Sequence, residues 1–423
     1  MRFSSLAQWL SWQVGLHGQV IDLGLARVHE VLTRLALNRS AHRVITVGGT
    51  NGKGSCVAML DAVYRASGYR VGCYTSPHLL RYNERIRING LEVGDEALMA
   101  AFARVDDARG EVSLTYFEFG TLAALVLFDE ADLHVTVLEV GLGGRLDAVN
   151  AVDADVAVIT SIGLDHCDWL GSDLESIGRE KAGIARAGRP LVCAEPHPPR
   201  SIGETADSIG AEVYLLGRDF GYDAVDRQWR WWSRQQARHA LPLPALRGGH
   251  QLRNGAAALM AVELLSPALP VAVADVRTGL GDVTLPGRFQ VLPGRVPVIL
   301  DVAHNAQSAA VLAHNLAANA IPGRTLAIVA MLADKDLTGT VEPLLGEIDQ
   351  WFVTSVTAPR AVGAAAMADV LAGLGRSAHG HASVAAALEV AYREAGEHDR
   401  ILVFGSFYTV ADALRAYNAR NPQ

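Results

Sequence analysis

ITVGGTNGKGS, residues 45–55, decides how this chain is read. A short apolar run passes into a loop with glycines at 48, 49, 52 and 54, and then into a segment whose apolar positions include Val57, Leu60 and Tyr64. The backbone N–H groups of such a loop, backed by a helix N-terminus, form a cradle for anions, and Lys53 adds a point charge for terminal phosphates. The strict GxxxxGK[ST] spacing is not met, because Val47 takes the first glycine position and Gly54 separates Lys53 from Ser55. The order strand, glycine loop, helix points to nucleotide binding through Asn51, Gly52, Lys53, Gly54 and Ser55, with a glycine-rich turn and an incidental lysine as the alternative.

Outward from the loop, β-branched runs at 44–47, 71–74, 134–140, 156–161 and 191–194 alternate with longer helical stretches. That alternation predicts α/β architecture, a doubly wound, mostly parallel sheet covered on both faces. Residues 212–246 change texture, with Trp229, Trp231 and Trp232 among charges and prolines, and read as short antiparallel strands on the edge of that sheet. The tryptophans are either an aromatic binding surface or edge packing. A helix is expected at 249–265, and LPGRFQVL at 285–292 punctuates a boundary. The alternation restarts at 298–300, 326–329, 351–354 and 401–404, so the expected domains are 1–287 and a smaller Rossmann-like α/β domain, 288–423.

Composition narrows the function classes. Of 423 residues half are apolar, and 37 Lys plus Arg against 45 Asp plus Glu leave a net charge of -8. With no block of like charge, a sequence-independent nucleic-acid binder is a poor reading. The start lacks the apolar core of a signal peptide, and no segment is apolar enough to span a membrane, so a soluble cytoplasmic protein is expected. Cys56, Cys73, Cys167 and Cys193 lack CxxC spacing and read as small buried thiols.

Ligands of open parallel sheets sit at the carboxyl ends of the strands. There the chain delivers Ser76 after one strand, Glu139 at the end of another, and Asp165 and His166 after a third. Ser76 and Glu139 offer the hard oxygens that Mg²⁺ takes beside substrate phosphates, whereas His166 taken alone reads as a hydrogen-bonded core histidine. Lys181 reads on composition as a solvated helix cation. TYFEFG, 115–120, sets aromatics beside a carboxylate just before an apolar helix; it suits a flat heterocycle, although Phe117 and Phe119 at strand-like spacing are equally compatible with core.

GTNGKGS is similar to the loop of the Mur ligase superfamily of ATP-dependent amide ligases. Further segments resemble, within it, bifunctional dihydrofolate synthase/folylpolyglutamate synthase: GQVIDLGLARV (18–28), YTSPHLLRYNERI (74–86), LTYFEFGTLAAL (114–125), LEVGLGGRLDAVN (138–150), TSIGLDHCDWLG (160–171), SIGREKAGI (176–184), LPGRFQ (285–290), DVAHN (301–305) and GSFYTVADAL (405–414). The resemblance runs through nearly the whole chain. It implies that Ser76 and Glu139 hold the Mg²⁺ on ATP, and that His166 with a carbamylated Lys181 holds a second. It also implies a dihydropteroate or folate site at Asp22, Leu23, Gly24 and Leu25, at Thr115, Tyr116, Phe117 and Glu118, and at Leu146, Asp147 and Ala148. Asn254, Arg288 and Asp301 match nucleotide contacts, and His304 and Ser406 lie where the family places glutamate. Arg186 and Ala306 depart from the family's pattern without touching an assigned role.

The activity so implied is ATP-dependent addition of L-glutamate to dihydropteroate and to the γ-carboxylate of reduced folyl glutamates through an acyl phosphate. Lys53, Glu139, His166 and Lys181 would be the catalytic groups, and closure of the second domain would exclude water. The expected partners are ATP, L-glutamate, dihydropteroate and reduced folates, with no nucleic acid and no membrane, and the expected state is a monomer. The alternatives are a monofunctional folylpolyglutamate synthase, another Mur-type ligase, and a non-catalytic nucleotide switch, which leaves Ser76, Glu139 and His166 without a reason to coexist.

Overall fold

A computed structural model describes residues 2–37 and 42–421. The chain divides into two compact units, Met1–Ala245 with Gln251–Val283, and Leu246–His250 with Thr284–Gln423. The division thus falls four residues before the boundary expected from LPGRFQVL, and the short segment ahead of the helix His250–Leu265 goes with the second unit.

The first unit is built on strands β1 (Arg43–Gly48), β2 (Val71–Tyr74), β3 (Ile86–Ile88), β4 (Leu91–Glu92), β5 (Val135–Glu139), β6 (Val156–Ile159), β7 (Pro190–Cys193) and β8 (Glu212–Leu215). They form one sheet in the order β4-β3-β2-β5-β1-β6-β7-β8. β5 and β6 are buried at every position, as strands covered by helices on both faces must be. Pairing is parallel from β2 to β8, while β3 and β4 make an antiparallel edge.

The tryptophan-rich segment does not extend that sheet. Its strands β9 (Phe220–Val225), β10 (Gln228–Ser233) and β11 (Ala237–Pro242) form a separate three-stranded antiparallel sheet. Trp229 and Trp231 are fully buried, and their indole N–H groups donate to the carbonyls of Pro242 (2.8 Å) and Ala256 (3.1 Å). Packing therefore accounts for both, since a buried indole must find an acceptor.

The second unit carries β12 (Gln290–Leu292), β13 (Val298–Leu300), β14 (Thr325–Val329), β15 (Gln350–Val353), β16 (Ala378–Gly380) and β17 (Arg400–Phe404), ordered β12-β13-β17-β14-β15-β16. All pairs but β12–β13 are parallel. Its core gathers Leu312, Met367, Trp351 and Phe404; that of the first unit gathers Trp9, Phe102, Phe119 and Phe128. Among the described residues no helix is long and apolar enough to cross a membrane. All four cysteines are free; Cys56, Cys73 and Cys193 are buried as expected, but Cys167 is exposed because it opens a single-turn helix at the surface, Cys167–Leu170.

Candidate active site

The glycine loop follows β1 and ends at the helix Lys53–Ala66. It is braced from the end of β6. Thr50 N–H donates to the Ser161 carbonyl (2.8 Å), Asn51 N–H to Ser161 Oγ (2.9 Å), and Thr160 Oγ1 to the Asn51 carbonyl (2.7 Å). Two glycines are required by this close fit. A Cβ on Gly49 (φ +138°) would come within 2.1 Å of Thr160 Oγ1, and one on Gly52 (φ +89°) within 2.5 Å of Asn254 Oδ1. Asn254 thus lies directly against the loop, buried and donating to Gln251 Oε1 at 3.0 Å. Lys53 folds back so that Nζ donates to the carbonyls of Gly49 (3.0 Å) and Thr50 (3.2 Å). Ser55 is buried in the first helical turn, next to Gly54.

Glu139 ends β5 beside Val47, in register with the start of the loop. It is buried, and its Oε2 accepts from Ser76 N–H at 3.2 Å. Two strand ends thereby bring a carboxylate and a serine together, a donor set of hard oxygens fitted to a divalent cation held on phosphate. Lys181 lies near the end of the helix Leu174–Ala182 and is buried at 4% exposure, contrary to the surface position composition suggests. Burial, reinforced by repulsion from Lys53, lowers its pKa to about 7 against the pull of Asp165 and Asp147. An uncharged lysine amine is a nucleophile toward CO₂, so this position fits a carbamate. His166, in a left-handed conformation (φ 53°), caps the short helix Cys167–Leu170, with Nε2 4.0 Å from Asp165 Oδ1. Its side chain is 37% exposed, which removes the core-histidine reading.

The segments expected to hold the acceptor are joined by a residue that the sequence did not single out. Arg27 Nη1 donates to Asp22 Oδ2 (2.6 Å) and Nη2 to Glu118 Oε1 (2.9 Å). His17 extends the network, with Nε2 3.1 Å from Asp22 Oδ2 and Nδ1 2.9 Å from Ser113 Oγ. The signal was present, because GQVIDLGLARV contains Arg27, but nothing local says that Glu118 lies beside it. Leu23, Gly24 and Leu25 follow Asp22 in a half-buried turn before the helix Ala26–Leu35.

TYFEFG is the start of a helix, Tyr116–Glu130, and not a strand before one. A capping box decides this: Glu118 N–H donates to Thr115 Oγ1 (3.2 Å) and Thr115 N–H to Glu118 Oε2 (2.7 Å). Helical geometry sends Phe117 and Phe119 to different faces. Phe119 is fully buried against Phe102, whereas Phe117 is half-buried by Tyr74 and lies over Gly141, where a Cβ would come within 2.6 Å of its ring. Leu146 is half-buried, and Asp147 caps the short turn Ala148–Ala151. Asp147 accepts from the N–H groups of Leu142 (2.8 Å) and Val149 (3.0 Å), yet burial pushes its pKa up to about 7 against these donors and Lys53.

In the second unit the ends of β13 and β17 collect the remaining candidates. Asp301 accepts from the N–H groups of Phe289 (2.9 Å) and Ala303 (2.8 Å), and burial raises its pKa against Arg288. Phe407, which sequence reading did not single out, receives the Arg288 guanidinium 5.1 Å from its ring centroid and the His304 ring at 6.5 Å. His304 Nδ1 is 2.8 Å from the Val302 carbonyl, which makes Nδ1–H the donor. Ser406 caps the helix Phe407–Arg420, its Oγ accepting from Thr409 N–H at 3.1 Å.

Residues 47–191 match the Mur ligase middle domain, and residues 287–407 match the Mur ligase glutamate ligase domain. Over 99% of its length the chain is 46% identical to the dihydrofolate synthase/folylpolyglutamate synthase of Escherichia coli (strain K12), covering 96% of that protein. It is 40% identical to the protein of the same name from Haemophilus influenzae, with 97% of each chain covered. The solved structure of E. coli FolC in complex with DHPP and ADP is similar with TM-score 0.95 at 45% identity, covering 99% of this chain and 98% of that one. A bifunctional folylpolyglutamate synthase/dihydrofolate synthase with Mn, AMPPNP and L-glutamate bound is similar with TM-score 0.92 at 44% identity, covering 98% of each chain. This chain therefore belongs, within the Mur ligases, to the dihydrofolate synthase/folylpolyglutamate synthase family.

Proposed function

We propose that this chain adds L-glutamate to dihydropteroate, forming dihydrofolate, and to the γ-carboxylate of folyl glutamates, forming folylpolyglutamates, with ATP as co-substrate. The observation that carries the reading is one electrostatic cluster at the strand ends of the first unit. Buried Lys181 feels the charges of Lys53, Asp165 and Asp147, Asp147 feels that of Lys53, and Glu139, in register with the start of the Lys53 loop, accepts from Ser76 N–H. Asp147 belongs at the same time to the stretch 146–148 assigned to the acceptor, and in the other acceptor segments Arg27 ties Asp22 to Glu118.

A carboxylate is a poor electrophile because its charge is delocalised. In the first step its oxygen attacks the γ-phosphorus of ATP, the bond to the bridging oxygen breaks, and ADP leaves with that electron pair. In the second, the glutamate amine attacks the acyl carbon, loses a proton, and phosphate departs as the amide forms. Gly52, Gly54 and Ser55 would present N–H groups to the phosphates, with Asn51, whose own N–H is held by Ser161 Oγ, shaping the loop and Lys53 released from its carbonyls to meet their charge. Asn254, Arg288 and Asp301 are assigned to the nucleotide, and His304 and Ser406 to L-glutamate. Phe117 and Tyr116, with Leu23, Gly24, Leu25, Thr115, Leu146 and Ala148, would line the folate site.

A divalent cation suits Ser76 and Glu139; a second suits His166 and carbamylated Lys181. When bound, such ions supply neutralisation of the charge that gathers on the phosphates. The low pKa of Lys181 supports carbamylation, since the amine needs its lone pair to add CO₂. We read the enzyme as monomeric and cytoplasmic, a placement in keeping with its free cysteines.

ADP release with ATP, Mg²⁺ and L-glutamate tests the reading, dihydropteroate being offered in one reaction and a reduced folate monoglutamate in another, with product masses read directly. Turnover with both is expected. Turnover with the folate alone would remove the dihydropteroate reading, and silence with both would point to a different carboxylate acceptor.

A further inference from the structure

Arg85 ends the short turn Tyr82–Arg85 that leads into β3 and is only 9% exposed. Its Nε–H donates to His78 Nδ1 at 2.9 Å. The guanidinium carbon stands 5.2 Å from the ring centroid of Tyr82 and 5.5 Å from that of Tyr116. Buried arginines are normally matched by a carboxylate or consumed by carbonyls. Arg238 has Glu263 at 3.7 Å, and Arg400 donates to Thr325 Oγ1 and to the carbonyls of Leu316 and Asn319.

Arg85 has neither kind of partner among the described residues, and the nearby acids are occupied. Glu84 accepts from the backbone N–H groups of Leu79 (2.7 Å), Leu80 (2.6 Å) and Arg81 (2.7 Å). Asp95 accepts from Asn83 Nδ2 (2.9 Å) and Arg81 Nη2 (3.2 Å). Because His78 Nδ1 is an acceptor, the neutral ring carries its proton on Nε2 and keeps a donor there. The side-chain hydrogen-bond partners of Arg85, His78 and the Tyr74 hydroxyl, are both neutral, so a buried cation between aromatic rings has no counter-ion among the described residues.

The position indicates what supplies the counter-ion. Tyr116, one of the two rings, belongs to the acceptor segment 115–118, and the Arg85 carbonyl accepts from Thr75 N–H (2.8 Å), one residue before Ser76. Arg85 therefore lies between the residues assigned to the folate and those assigned to the phosphates. We propose that Arg85 is the binding residue for a carboxylate of the folate acceptor, with His78 as the positioning residue that fixes the guanidinium plane. A guanidinium suits this task because its fork matches a carboxylate with two parallel hydrogen bonds. The proposal rests on the reading of 115–118 as the acceptor site. The carboxylate is either the aryl one, present in dihydropteroate, or the α-carboxylate of a folyl glutamate.

The test is a cycle between residue and ligand. Dissociation constants are measured for wild type, Arg85→Gln and Arg85→Lys with dihydropteroate, a reduced folate monoglutamate, and the same dihydropterin-methyl-aniline lacking any carboxylate. Wild type should prefer a carboxylate-bearing ligand by about tenfold or more, the scale of one charge-assisted pair. Arg85→Gln should erase that preference while leaving the carboxylate-free ligand within about twofold, and Arg85→Lys should keep part of it. Loss with dihydropteroate alone assigns the aryl carboxylate, loss with the folate alone assigns the α-carboxylate, and loss with both means that Arg85 takes whichever of the two each acceptor carries; each supports the proposal. His78→Asn, whose amide oxygen still accepts from Nε, should bind acceptor more tightly than His78→Ala.

Equal weakening of all three ligands by Arg85→Gln, or an intact preference, overturns the proposal alone. Failure of wild type to bind any of them overturns the acceptor reading with it. If Arg85→Gln does not fold, Arg85→Lys carries the same comparison.

Discussion

Two regions of the first unit treat a cation withdrawn from water in opposite ways. In the segments proposed to hold the acceptor, Arg27, a quarter exposed, is held between Asp22 and Glu118 by short hydrogen bonds, and against partial desolvation these carboxylates push its pKa upward. Near the glycine loop Lys181 is more deeply buried, pairs with no carboxylate within ion-pair distance among the described residues, and has Lys53 as a repelling neighbour, so its pKa falls to about 7. The first arrangement fixes geometry, because a matched charge gains nothing by moving. The second keeps an amine uncharged and reactive at a cost in stability, which is the pattern of a group reserved for chemistry.

Replacing Lys181 should show the largest effect. Lys181→Met should lower kcat by about 10³-fold, read as ADP release, while raising stability. The amine titrates at about 7 when folded and at 10.5 when unfolded. Between those values the unfolded chain binds the extra proton, so wild-type stability rises with pH across that window. Below about 7 both states are protonated, and the native protein carries the whole penalty of a buried ammonium. The advantage of Lys181→Met should thus be greatest below pH 7 and shrink toward pH 10.5, as thermal unfolding in CO₂-free buffer would show. A variant that lost stability at every pH would break the comparison.

Next in size is the apolar counterpart. Phe119→Ala should cost about 4 kcal/mol of stability, because a fully buried ring leaves a cavity among Phe102 and its neighbours. Phe117→Ala should cost under about 1 kcal/mol and instead raise the acceptor KM about tenfold, through the lost ring face. Chemical denaturation and steady-state kinetics on both variants separate the two.

Arg27→Met should destabilise by about 2 kcal/mol, less than a fully buried pair would, because Arg27 is a quarter exposed and Asp22 more so. It should also disorder the acceptor site while leaving the ATP KM unchanged. An unchanged urea midpoint would remove the distinction between the two cations. Ser406→Ala gives the smallest effect, about 1 kcal/mol for a lost helix cap. A stability loss with an unchanged KM for glutamate would mark the serine as a cap alone, whereas a raised KM would give it both roles.

Much of this was legible in the chain. The β-branched runs fall on β1, β2, β5, β6 and β7, because strands buried on both faces need apolar residues at every position. The glycine loop was legible for a local reason, since a left-handed loop entering a helix is encoded within a few residues. Phe117 and Phe119 were not legible as a pair: i, i+2 spacing reads as a strand until the Thr115–Glu118 capping box is recognised. Nor could the chain show that residues 220–242 would leave the main sheet, since strand pairing is a long-range choice.

The sequence by itself determined the α/β alternation, the anion loop and the family resemblance, all of which live in contiguous segments. Only the tertiary structure decided that Lys181 is buried, that Arg27 joins nearby Asp22 to a Glu118 lying 91 residues beyond Arg27 in the sequence, and that Arg85 sits between rings without a carboxylate. The physical reason is the same in each case. A side chain's charge state is set by desolvation and by the neighbours that folding brings to it, and neither quantity is a property of the residues beside it in the chain.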